Sequence, residues 1–247
     1  MPAVRSQIEP FASLRWLRLG WHDFRQVPGL SLMHGAALLL VMLAIIAIGY
    51  SHAVLLAGAF SGFVLIAPVL LTGMYAQSRA LARSEPSGFA TVSDTWRRAG
   101  RSVVCFGLLL ALVGSAWVLC SSLIVNASNI NQGGVAGYLE FFAGKANPFL
   151  FWLWLLAGGM LAALVFAASA ISLPMLIDQS VSVRTAVATS VEAVGQNPIA
   201  MVLWAVLIML LTMLGVASVL GLLVLLPVLG HATWHAYSEL VQTDDAG

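Results

Sequence analysis

His231 and His235 stand four residues apart in the stretch His-Ala-Thr-Trp-His. That spacing puts both imidazoles on one face of a helix, where a metal could be held. A zinc protease would need Glu directly after the first histidine, and here that position is Ala232. No Cys or carboxylate nearby completes a ligand set. The adjacent Trp234 and Tyr237 favour an interfacial anchor instead. His34 lies ~6 Å inside the first apolar run by helical rise, and His231 should lie at similar depth. A bis-histidine haem between them is geometrically conceivable, but a lone membrane histidine more often hydrogen-bonds across helices. Asp178 closes the fourth apolar run, one turn after Pro174. It is expected as an exposed end-of-helix acid near Arg184; the sharper alternative pairs it with an Arg of another cytoplasmic segment, or gives it a role in gating. There is no Ser-His-Asp set, phosphate loop or Cys-x-x-Cys pair. The expectation is therefore no enzyme, with no catalytic, cofactor-binding or metal-binding residues.

The elements that must position these groups follow from composition. Of 247 residues, 60% are hydrophobic and 9% charged, with net charge +1. Soluble domains carry about 25% charged residues, so a water-facing surface cannot be built. A nucleic-acid binder is excluded as well, because it needs a basic surface. Cys105 and Cys120 share one apolar run, and a helix would hold them ~22 Å apart. They cannot pair with each other and are expected as small apolar packing residues.

About 20 apolar residues cross a bilayer, and such runs predict six spans, at about 30–50, 53–77, 102–125, 148–177, 198–215 and 218–239. The last two divide a block, Pro198 to Gly230, too long for one crossing; five spans, or a re-entrant pair, is the alternative. Arg5, Arg15, Arg18 and Arg25 precede span one. Arg79, Arg83, Arg97, Arg98 and Arg101 lie between spans two and three, and Arg184 between four and five. Only Lys145 falls on the other side. The positive-inside rule then places both termini in the cytoplasm. The polar, Arg-bearing start predicts an uncleaved anchor rather than a signal peptide. Residues 11–24 look amphipathic: Leu14, Leu17 and Trp21 share a face, with Trp16 and Trp21 expected at headgroup level. Trp96 among Arg97, Arg98 and Arg101 suggests a second such segment.

Spans two, four and six carry Pro68, Pro174 and Pro227, each followed two residues later by Leu. A helix-interior proline frees a carbonyl and kinks the rod. The pattern predicts three hairpins of related design with kinked even-numbered helices. Gly58 and Gly62 form a Gly-x-x-x-Gly pair, Gly107, Ala111 and Ser115 line a face of span three, and Gly159, Ala163 and Ala167 a face of span four. Small residues let helix backbones approach in lipid.

Several stretches resemble a family of predicted bacterial integral membrane proteins of unknown function. They are Gly73-Met74-Tyr75, Leu173 to Asp178, Thr189-Ser190 with Asn197-Pro198, and Leu226 to Tyr237. The resemblance runs from about Trp16 to Tyr237. Some members carry a provisional label of cytochrome c oxidase subunit. A catalytic oxidase subunit needs many buried His ligands, and this chain has at most two at membrane depth.

The expected architecture is thus an all-α membrane protein. It has an amphipathic cytoplasmic segment (1–29), a bundle of six transmembrane helices (30–239) and a cytoplasmic tail (240–247), in the bacterial inner membrane. Its partners are the lipid bilayer and other membrane proteins or itself. Two functional classes fit: a non-catalytic accessory or scaffold protein, as near a respiratory complex, or a transporter or channel for an uncharged or amphipathic solute.

Overall fold

In hydrocarbon a backbone must satisfy its own polar groups, so long apolar stretches fold as helices. The computed structural model describes residues 2–51, 71–128, 140–141, 143–145, 147–218 and 220–242. Gly58, Gly62 and Pro68 lie outside the described residues. The helices are α1 (Ala12–Gln26), α2 (Pro28–Ser51), α3 (71–82), α4 (Phe89–Ala127), α5 (Pro148–Ser169), α6 (Ser172–Asp178), α7 (Val183–Gln196), α8 (Pro198–Ser218) and α9 (Leu222–Leu240). Gly100–Ala127, Pro148–Asp178 and Pro198–Gly215 are each long and apolar enough to cross a membrane. The bent pair α1–α2 adds a fourth candidate if it counts as one span. This is an all-α membrane protein.

Local chemistry sets several boundaries. The Asn147 side chain accepts from Leu150 N at 3.1 Å, and Pro148 follows at the first helical position, which starts α5. Ser182 caps α7 by accepting from Thr185 N at 3.1 Å. Pro174 does not kink a continuous fourth span. The helix breaks at residues 170–171, and Pro174 falls in the first turn of α6, where a missing N–H costs no intrahelical bond. Pro227 does lie inside α9.

α1 turns through 106° into α2. It makes its broadest contact with α9. Trp16 is fully buried. It meets Trp204 of α8 edge-on, with centroids 5.8 Å apart, and donates Nε1–H to Glu239 Oε2 of α9 at 2.7 Å. Arg15 also pairs with Glu239. Trp16 is therefore a core residue rather than a headgroup anchor, because α9 and α8 cover it; Trp21 remains 44% exposed. The chain ends meet as two short antiparallel strands, β1 (Ala3–Val4) and β2 (Val241–Gln242), paired Ala3 with Gln242 and Val4 with Val241. Away from that end, Phe141 is buried against Phe151 and Trp154, with centroids 6.1 and 6.2 Å away.

Among the described residues, several close helix approaches fall on glycines outside the predicted small-residue stripes. A Cβ on Gly20 would stand 2.6 Å from Val228 O, and one on Gly230 would stand 2.8 Å from Met74 Cγ. A Cβ on Gly35 would collide with the Leu223 carbonyl oxygen. That carbonyl is the one four residues before Pro227, which has no N–H to give it. On α5, Gly158 faces Trp117, while nothing among the described residues lies within 4 Å of a Cβ on Gly159. Gly159 and Ala163 are exposed. At this level of α5 the contact thus falls on Gly158, one residue before the predicted Gly159, because the Trp117 ring fills the groove there. Cys105 and Cys120 are exposed on α4 rather than packed.

Candidate functional site

The His231–His235 spacing puts both rings on the α9 face that α1 covers. His231 is fully buried and Asp23 of α1 is 5% exposed. His235 Nε2 lies 2.8 Å from Asp23 Oδ2 and donates to it. Ser78 of α3 donates to the same oxygen at 2.6 Å. Ser78 Oγ also lies 2.7 Å from His231 Nδ1. Its one proton goes to Asp23, so the donor in the second contact is His231 Nδ1–H. On the far side of the ring, His231 Nε2 sits 2.9 Å from Ser31 Oγ of α2, which is also 2.9 Å from Val27 O. A neutral His231 needs the Ser31 proton; if that proton stays with Val27 O, Nε2 must carry its own. Four helices are therefore joined by one relay, His235–Asp23–Ser78–His231–Ser31.

Burial raises the Asp23 carboxyl's pKa, but the hydrogen bonds from His235 and Ser78 outweigh burial and hold it below the usual carboxylate range. A buried, hydrogen-bonded carboxylate beside two imidazoles can hold or pass a proton. It lacks the order of a hydrolytic triad, in which the histidine stands between the serine and the acid.

His34 is 5% exposed. Its Nδ1 bonds Leu30 O of its own helix at 2.7 Å, not a neighbouring helix. Its ring is seated on Gly73 of α3, where a Cβ would collide with Nε2. Ser31 and Ser78 engage both ring nitrogens of His231, so no free His34–His231 pair is presented to a haem. Among the described residues no group of three or more His, Cys, Asp or Glu could hold a metal.

Asp178 belongs to a second cluster. Its side chain is 4% exposed, with Oδ1 2.9 Å from Arg79 Nε and 3.1 Å from Arg83 Nη2. Tyr237 OH donates to Oδ2 at 2.8 Å and accepts from Gln179 Nε2 at 2.9 Å. The exposed acid beside Arg184 is thus corrected. Asp178 is buried and pairs with arginines of the segment after span two, because α6 carries it inward against α3. Trp234 and Tyr237 are likewise 4% and 1% exposed, core residues rather than interfacial anchors.

The model of the family described as predicted integral membrane protein (DUF2189) matches residues 55–178. The chain belongs to that family. No curated protein and no solved structure matches it. The family's matched stretch ends on Asp178 and takes in α3 to α6. Asp23, His231 and His235 lie outside it, and Ser78 alone of the relay lies within.

Sequence reasoning singled out both histidines but missed Asp23, Ser31 and Ser78. A signal for Asp23 exists. Ala12, Trp16, Gly20 and Asp23 recur at helical spacing and form the buried face of α1, which places a carboxylate on the covered side. Ser31 and Ser78 carry no such mark, since serine is common at span ends.

Proposed function

We propose that the protein is a non-catalytic accessory or scaffold protein of the bacterial inner membrane, whose uncovered helix faces seat lipid and other membrane proteins. The carrying observation is the outer surface of the spans. Leu112, Leu119 and Leu123 of α4, and Leu156, Met160 and Leu164 of α5, are each more than 60% exposed. Apolar faces of that extent need a bilayer or a membrane partner to cover them. The three spans carry no charged residue except Arg101 and Asp178, near their ends. Nothing charged is left at mid-depth to couple transport to an ion.

The same reading takes six crossings arranged as three hairpins, with both ends in the cytoplasm. The Ala3–Gln242 pairing supports it, because chain ends that bond each other require an even number of crossings. The last hairpin is supported by Trp16, which touches Trp204 near the start of α8 and Glu239 near the end of α9. The 106° turn after α1 supports an interfacial α1.

A transporter or channel for an uncharged solute is the second reading, and it draws on Pro227 inside α9 and the break before Pro174. Purified protein in liposomes separates the two. Flux of a neutral solute through protein-containing liposomes overturns the scaffold reading. A stoichiometric partner kept in mild detergent, and lost from Leu156→Asn and Met160→Asn variants, supports it. A haem band in the same sample would revive a redox role.

A further inference from the structure

A cleft of about 400 Å³ opens beside the Asp178 cluster. Its walls include Arg79, Thr95, Arg98, Ser102, Ser180 and Asp178. Its depth in the membrane follows from the spans. Arg98 and Ser102 straddle the start of the apolar stretch Gly100–Ala127, and Asp178 ends Pro148–Asp178. The cleft therefore opens where hydrocarbon gives way to headgroups.

Its charge is unbalanced. Asp178 brings one negative charge to the lining, and Arg79 of the same lining pairs with it. Its other oxygen is taken by Tyr237, so the cleft holds no bare carboxylate oxygen from this residue. Arg98 adds a further positive charge. Its Nε reaches only the backbone oxygen of Asp94, at a long 3.4 Å. Among the described residues no carboxylate lies within ion-pair distance of Arg98, and the Ser102 and Ser180 hydroxyls have no hydrogen-bond partner. Thr95 Oγ1 gives its proton to Thr91 O and is no donor to a ligand. An exposed guanidinium and two free hydroxyls around a net positive cleft form a donor set for an oxyanion, and arginine's fork suits phosphate.

We propose that this cleft binds a phosphate-type oxyanion, carried by an anionic phospholipid headgroup or by a soluble phosphate. The site is independent of the scaffold reading.

The full chain is placed in nanodiscs of phosphatidylglycerol or of phosphatidylcholine, and bound lipid is counted by native mass spectrometry after release. In parallel, thermal stability in detergent is followed with added inorganic phosphate. Wild type is expected to retain phosphatidylglycerol over phosphatidylcholine, and Arg98→Gln to lose about tenfold of that preference, the effect of one charge-assisted contact. Arg25→Gln, at the end of α1, is expected to behave as wild type. Loss in the lipid arm assigns the headgroup; loss of phosphate-induced stabilisation alone assigns a soluble anion. Equal behaviour of wild type and Arg98→Gln in both arms overturns the proposal. Should Arg98→Gln fold poorly, the double variant Ser102→Ala, Ser180→Ala is read the same way.

Discussion

Asp23 of α1 accepts a hydrogen bond from His235 of α9, 212 residues further along the chain, at 2.8 Å. This contact ties an amphipathic first helix to the last helix at a buried point. Ser78 extends it to α3 and, through His231, to Ser31 on α2. These polar side chains thus hold four helices together near one end of the bundle.

Removing the charge at that point should be costly. Asp23→Asn leaves His235 and Ser78 facing a weaker acceptor, and a loss of about 1–3 kcal/mol is expected. The sign with pH is fixed by the lowered carboxyl pKa. Stabilisation from a depressed acid is complete above its unfolded value and fades as pH falls through its folded value. The stability gap between wild type and Asp23→Asn should therefore be full at neutral pH and close only in strong acid. Melting curves in detergent across pH check this, and a gap that widens on acidification would contradict it.

Glycine substitutions should separate true helix contacts from predicted ones. Gly35→Ala puts a methyl group against the Leu223 carbonyl, a backbone atom that cannot swing away. A loss of about 1–3 kcal/mol is expected. Gly159→Ala meets nothing among the described residues and should leave the melting temperature unchanged or slightly raised, since Ala favours helix. Equal effects at the two sites would refute the packing assignment.

The His34 ring seated on Gly73 gives a coupled pair. Gly73→Ala should destabilise by forcing the imidazole off its site. His34→Ala alone leaves a cavity. Combined, the two changes should cost less than their sum, because the ring that clashes is gone. Strict additivity in a double-mutant cycle would argue that the ring does not rest on Gly73.

Reporter tags on the two ends should respond alike to externally added protease, since Ala3 and Val4 pair with Gln242 and Val241. Cleavage of one tag alone in sealed inverted vesicles would exclude an even number of crossings.

Composition and the spacing of apolar runs were enough to determine a helical membrane protein. Hydrophobic length answers to bilayer thickness residue by residue, without reference to neighbours. The helical spacing of His231 and His235 likewise put both on one face. Contacts between helices were not legible in the same way. Asp178, Trp234 and Tyr237 read as edge residues because in one dimension each stands near the end of an apolar run, and Trp16 because it lies in the amphipathic segment before the first. Each is buried because another helix, distant in sequence, lies across it. Whether a small residue marks a contact depends on what faces it: Trp117 selects Gly158 over Gly159, and the carbonyl freed by Pro227 meets Gly35. Only the tertiary structure could decide those pairings, because helix period limits which residues share a face, whereas the partner of that face is set by packing among segments that can lie 200 residues apart or more, as Ser31 and His231, and Asp23 and His235, do.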